Sequence, residues 1–292
     1  MILTHERATI GDISFVYSCK PIEHPIFRKF KLPNTVKLAG EYGIAYSPSP
    51  KNYYHWVHEI VPQLIKCKRL LDDGQIKQMF CFVELSFQRQ WLDILGIEMS
   101  CIIPLSDKIA YSVETLHVPS MPSRNGAVPS HVFNSLKDAV RSIKASNVSR
   151  RLYIVRESGV RSVKYRNGDK DEFLESYGFE RLILEEMSVA DQVRAFKEAS
   201  VVLTPHGAGV TGITFCKPGT KVIEMHTPFF FNTCYWRIAT ANHLEYYCLL
   251  GGEIEKLSDI PFPVFGASTV EIDLAILGNV LTDAGIDKIS KN

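Results

Sequence analysis

The stretch Val201-Val202-Leu203-Thr204-Pro205-His206-Gly207-Ala208-Gly209-Val210-Thr211 decides the fold, because an apolar strand ends in small residues and passes directly into a helix start. Upstream, Ser188 caps a helix with Asp191 three residues later, and Val189, Val193, Phe196 and Ala199 recur at helical spacing. Further back, Arg151 to Val155 reads as a strand, Asp169 to Tyr177 as a helix and Phe179 to Leu184 as a strand. Downstream follow a strand at Lys221 to Met225, a helix at Asn232 to Ala241 and a strand at Tyr246 to Leu250. Strands alternating with helices at this interval predict a parallel sheet covered on both faces with right-handed crossovers, a Rossmann-like half.

The first half is less regular. Gln78 to Glu84, Ser100 to Ile103 and Thr115 to Val118 read as strands, with a helix at Phe87 to Leu95, so a second α/β layer is expected. Pro119 to Pro129 carries three prolines and breaks the periodicity ahead of a helix at Val132 to Ala145. These signals predict an N-terminal α/β domain over residues 1–130 and a Rossmann-like domain over 131–292, ending in an extension with a helix near Leu274 to Leu281. A chain of 292 residues suits two such domains.

Composition narrows the function. Apolar residues at 46% against 22% charged describe a folded chain, not a disordered one. With 33 Lys and Arg against 32 Asp and Glu, no global field recruits nucleic acid, and phosphate binding has to be local. Met1 to Phe15 lacks the basic and apolar regions of a signal peptide and no apolar run spans a bilayer, so a cytoplasmic protein is expected, with peripheral attachment to the inner face of a membrane compatible. The seven cysteines are scattered singly, without zinc-site spacing, and read as reduced core thiols.

Two constellations carry chemistry. In the first, Gly207 and Gly209 permit positive φ and close backbone approach, so the loop amides and helix start suit a diphosphate, although glycines chosen for packing give the same pattern. His206 is placed to donate to a departing phosphate, or is a satisfied turn residue. Glu224 ends an apolar strand with a carboxylate suited to a ribose diol, or to a neighbouring cation. Arg156 and Arg161, after the strand ending at Val155, are placed to neutralise phosphate.

The second constellation is Asn52-Tyr53-Tyr54-His55-Trp56-Val57-His58-Glu59-Ile60-Val61-Pro62-Gln63-Leu64, an amphipathic helix. Asn52, His55 and Glu59 fall on one face while Trp56, Val57, Ile60, Val61 and Leu64 form an apolar surface, and Pro62 predicts a kink or a local break. A His and a carboxylate four residues apart suit general base catalysis; the same spacing serves an ordinary helical ion pair with an Asn cap.

In order along the chain, Asn52-Tyr53-Tyr54-His55 with Glu59, Tyr153 to Arg156 with Arg161, the helix at Ser188 to Ala199, His206-Gly207-Ala208-Gly209 and the strand ending at Glu224 resemble glycosyltransferase family 61. That family includes bacterial capsular polysaccharide enzymes and plant xylosyltransferases. The resemblance implies a GT-B architecture of two Rossmann-like domains facing across a cleft, with inversion at the anomeric carbon and no metal or other cofactor. The donor implied is a nucleotide diphosphate sugar, UDP being the default, and the acceptor a glycan hydroxyl, in polysaccharide biosynthesis. Glu59 with His55 would then take the acceptor proton, Asn52 and His58 would support the acceptor side, and Arg156, Arg161, His206, Gly207, Ala208, Gly209 and Glu224 would hold the donor. Asn167-Gly168-Asp169 departs from the family's usual Asn-Glu helix start, and Asp169-Lys170-Asp171 reads as the acidic first turn of a helix, not as a metal motif. Competing readings are a zinc hydrolase built on His55, His58 and Glu59 with His117, His206 or His226, and a non-catalytic nucleotide-sugar-binding protein.

Overall fold

A computed structural model describes residue 2 and residues 23–28, 33–106, 108–123, 126–156, 163–227, 231–252 and 270–290. The chain parts into two compact units, Met1–Ala139 and Val140–Asn292.

In the first unit the strands β1 (Asn34–Ala45), β2 (Gln78–Cys81), β3 (Ile102–Pro104) and β4 (Ile109–His117) form a parallel sheet in the order β3-β2-β1-β4. β1, which the sequence pattern hides, is central only at its end: Tyr42 to Ala45 pair with Gln78 to Cys81, while Asn34 to Val36 are exposed. Polar and glycine residues break its alternation, and Gly40, at φ 97°, sits where the β1–β4 register slips between Leu38 and Glu41. Between β1 and β2 runs one continuous helix, made of α1 (Tyr53–His55), a π-helical turn (Trp56–Ile60) and α2 (Val61–Asp72). α3 (Ser86–Leu95) connects β2 to β3, and α4 (Ser130–Ala139), shorter than the predicted helix, packs on α2. Trp56, Val57, Ile60, Val61, Leu64 and Cys67 are fully buried, as the apolar face predicts.

In the second unit β5 (Arg150–Ile154), β7 (Phe179–Leu182), β8 (Ala199–Pro205), β9 (Lys221–His226) and β10 (Glu245–Leu250) form a parallel sheet in the order β10-β9-β8-β5-β7. From β5 the chain moves outward to β7 and then returns to β8 on the other side, so the winding reverses between β5 and β8. The connecting helices are α5 (Lys170–Ser176), α6 (Val189–Glu198), a 3-10 helix (Ala208–Phe215) and α7 (Cys234–Ala241). Asp169 caps α5 by accepting from Glu172 N–H at 2.9 Å, and Ser188 caps α6 by accepting from Asp191 N–H at 3.1 Å. A pair of strands the sequence reading did not anticipate, β6 (Val163–Arg166) and β11 (Val270–Asp273), forms a separate parallel ribbon. The helix expected in the C-terminal segment is α8 (Leu274–Asp283), whose Leu274, Leu277 and Leu281 join Leu203, Ile223 and Met225 in one core. Among the described cysteines, Cys67, Cys81, Cys216 and Cys234 are buried thiols, whereas Cys101 is half-buried and Cys248 exposed, so the expectation of core thiols fails at those two. Cys19 lies outside the described residues.

Candidate active site

The first constellation to consider stands at the carboxyl end of β1. Asn52 Oδ1 accepts from Tyr54 N–H at 2.9 Å and starts the helix, so Asn52 is a cap. Pro62 follows a local break of the α-helix, a π turn closed by Val61 N–H on Trp56 C=O. Proline has no N–H to continue the ladder, and the widened turn just before it accommodates that loss.

The polar face is graded, with Asn52 exposed, His55 partly exposed and Glu59 buried. His58 is fully buried, with its ring against Tyr54 at 4.6 Å and Phe133 at 5.9 Å, and burial pushes its imidazole down to about 3. It is therefore a neutral core residue, and acceptor-side support from His58 is limited to packing. Glu59, only 2% exposed at its side chain, takes a hydrogen bond from Ser47 Oγ at 2.6 Å and lies 2.8 Å from His55 Nδ1. Ser47 is buried and its own oxygen accepts from Ser49 N–H at 3.2 Å. Gln63 Nε2 donates to Glu59 C=O and Tyr46 C=O, both at 2.7 Å, stitching the strand end to the π turn. Burial and the Glu59 carboxylate push the Tyr46 phenol up.

His55, at 23% side-chain exposure, is the member of this pair that solvent reaches. A buried carboxylate that holds one imidazole nitrogen leaves the other, on the far side of the ring, for proton transfer. Sequence reasoning found His55 and Glu59 from their spacing; it missed Ser47, which follows a strand that has no clear pattern.

In the second unit, Arg156 follows β5 and His206 follows β8, so both stand at the carboxyl ends of neighbouring strands where the winding reverses. That is where ligands bind in open parallel sheets. Gly207 does not use positive φ as expected; its backbone is extended at φ 161°. What excludes a side chain is proximity, since a Cβ there would lie 2.4 Å from Arg156 Nη1. A Cβ on Gly209 would lie 3.1 Å from Leu184 Cδ1. Ala208 opens the 3-10 helix, with Val210 N–H returning to Gly207 C=O at 3.0 Å. Arg161 lies outside the described residues.

Glu224 is not presented to a ribose as the sequence pattern suggested. β9 lies between β8 and β10, and Glu224 is fully buried within it. Its Oε1 lies 2.5 Å from His206 Nδ1, and its Oε2 accepts from Tyr246 O–H at 2.6 Å. His226 Nε2 stands 3.4 Å from Glu224 Oε1 and 3.3 Å from the Tyr246 hydroxyl. Burial by itself would raise the Glu224 carboxyl, but hydrogen bonds from His206 and His226 outweigh it and hold the group below the usual range. Burial and the same carboxylate push the Tyr246 phenol up. Tyr246 was missed because it sits in a strand that reads as plain core.

Among the described residues, one His/Cys/Asp/Glu group gathers its side-chain donor atoms within 4.8 Å, closely enough to hold a metal: His206, Glu224 and His226. As they stand, His206 Nδ1 and Glu224 Oε1, 2.5 Å apart, share a hydrogen bond. His55, His58 and Glu59 are not gathered in this way, and His117 lies 2.7 Å from Glu41. No helix among the described residues is long and apolar enough to cross a membrane.

Residues 53–223 match the family model described as Glycosyltransferase 61. Over 75 residues, a quarter of this chain, it is 35% identical to the beta-1,2-xylosyltransferase RCN11 of Oryza sativa subsp. japonica. Over 67 residues, 23% of this chain, it is 39% identical to a beta-1,2-xylosyltransferase of Arabidopsis thaliana. The matched stretches span only 14% and 12% of those two proteins. With the family model matching more than half of its length, this chain belongs to glycosyltransferase family 61.

Proposed function

We propose that this protein is an inverting glycosyltransferase that moves a sugar from a nucleotide diphosphate, UDP first among candidates, to a glycan hydroxyl. The observation that carries the reading is the meeting of Arg156, the Gly207 backbone and His206 at the reversal of strand order in the second unit. Family membership supports it. The donor diphosphate lies against this loop, where arginine, imidazole and backbone N–H offset the charge that grows on the leaving phosphate. The two parallel-sheet units then serve as the halves of a GT-B enzyme, the second holding donor and the first acceptor.

In the first unit the acceptor hydroxyl gives its proton to His55 as its oxygen attacks the anomeric carbon and the nucleotide diphosphate leaves. Glu59 is too buried to take that proton directly; it orients the ring and stabilises the imidazolium, with Ser47 holding the second oxygen. No resident metal or cofactor enters this scheme. A xylosyl donor is the first sugar to test, given the names of the plant relatives.

A thermal-stability panel of UDP, GDP, CDP, ADP and their sugar conjugates tests the donor reading, since a ligand of the folded state raises the unfolding midpoint. One nucleotide family is expected to stabilise, and its sugar conjugate to support transfer to a glycan. Equal midpoints across the panel would overturn the reading.

A further inference from the structure

Glu224 is a carboxylate with no exposed surface, deep beside a loop assigned to phosphate. Removing such a charge from water is costly unless it is paired, and here two ring nitrogens and a phenol surround it. His206 Nδ1 and Tyr246 O–H occupy its two oxygens, at 2.5 and 2.6 Å, and His226 approaches at 3.4 Å. His206 therefore stands with one nitrogen committed to the buried carboxylate. The ring is further fixed by His226, whose centroid is 4.9 Å away, and by Tyr235, edge-on at 5.4 Å. Neither carboxylate oxygen faces outward for a ribose diol.

We propose that Glu224 is a positioning residue for His206: its carboxylate fixes the proton on Nδ1 and supplies the counter-charge that lets the imidazolium present Nε2–H to the donor diphosphate, with Tyr246 securing the carboxylate from behind. The proposal rests on the donor-binding reading above and replaces the ribose-ligand role for Glu224. Without the carboxylate, His206 Nδ1 would lose the charged acceptor it meets, while Arg156 Nη1 stays beside the neighbouring Gly207. The titratable or charged groups around the pair are His226 on β9, Tyr246 and Cys248 on β10, Cys234 and Tyr235 on α7, and Arg156 after β5. Of these Arg156 is the standing positive charge beside the loop, and Glu224 is the carboxylate that meets the ring on its buried side.

The test compares wild type, Glu224→Gln, Glu224→Asp and Tyr246→Phe, each shown to be folded by its unfolding transition. The probes are UDP, 2′-deoxy-UDP and 3′-deoxy-UDP, or the same three forms of whichever ribonucleoside diphosphate the stability panel selects, titrated between pH 5.5 and 8.5. Glu224→Gln is expected to weaken all three probes by the same factor, about tenfold, and to move the alkaline loss of binding down by roughly one pH unit. Glu224→Asp should restore part of both effects, and Tyr246→Phe should weaken the three probes equally by a smaller factor. If Glu224→Gln weakens UDP while the deoxy forms bind as to wild type, the carboxylate touches ribose and the proposal is overturned. It is also overturned if the pH dependence of binding is unchanged. Should the Gln variant not fold, Tyr246→Phe decides by the same comparison, since unequal losses across the probes would refute the cradle. Wild-type protein that binds no nucleotide at all would instead overturn the donor reading itself, and this proposal with it.

Discussion

His55 and Glu59 sit four residues apart on one helix, yet the burial of one and the exposure of the other give them unequal tasks. His55→Ala is expected to lower single-turnover transfer by on the order of a hundredfold or more with donor affinity near wild type, because proton transfer is lost while the second unit is untouched. Glu59→Gln should cost a comparable factor, and the double variant little more, since members of one catalytic unit are not additive. Turnover at wild-type rate in folded His55→Ala would remove it as the base. In the loop, Gly207→Ala places a methyl 2.4 Å from Arg156 Nη1, and the flexible end of that arginine yields before the backbone does. The expected result is an unfolding midpoint close to wild type with nucleotide affinity reduced about tenfold. Arg156→Ala should reproduce that loss, and combining the two should add little. Equal losses that sum in the double variant would show that the glycine serves the backbone and not the arginine. The contact of His55 with Glu59 and the place of His206 and Gly207 just after an apolar strand were legible in sequence because those relations are local. That Glu224 points inward and that Ser47 and Tyr246 complete the networks was not legible, because those facts depend on which strand lies beside which.

Among elements, the helix carrying His55 is the most informative. Its apolar stripe could be read from spacing alone, but the π turn could not, because only the missing Pro62 N–H hints at it and a kink would satisfy the same constraint. The turn carries His58 into the core as a neutral ring, which makes the first unit sensitive to mild acid. Its folded value near 3 lies below the ordinary 6.5, so between those values the unfolded chain binds more protons than the folded one. The contribution is whole above about pH 6.5 and lost as pH falls, by roughly 2–3 kcal/mol at pH 4.5. Urea midpoints measured at pH 7 and 4.5 should therefore differ more for wild type than for His58→Leu; equal differences would mean the ring is hydrated and titrates normally. The second unit's strands were legible as apolar runs between capped helices. β1, much of β4 and the β6–β11 ribbon were not, since exposed or short strands carry polar residues that erase the period of two.

For the molecule as a whole, two parallel sheets wound in different orders divide the chemistry, with proton removal assigned to the first and phosphate stabilisation to the second. Because arginine, imidazole and backbone groups are assigned the phosphate charge, transfer is expected to survive EDTA, followed as product formed after chelation and gel filtration. Activity that vanishes and returns with Mn²⁺ or Zn²⁺ would reopen the assignment of His206, Glu224 and His226 as a hydrogen-bonded trio. The buried thiols described with the fold supply a means of watching each unit separately. Cys67 and Cys81 lie inside the first, and Cys216 and Cys234 inside the second. Burial pushes Cys67 up to about 11 and Cys234 up to about 12, so alkylation at neutral pH waits on local opening. Timed labelling read by mass spectrometry thus turns four native side chains into paired reporters of which half loosens first, with no probe introduced.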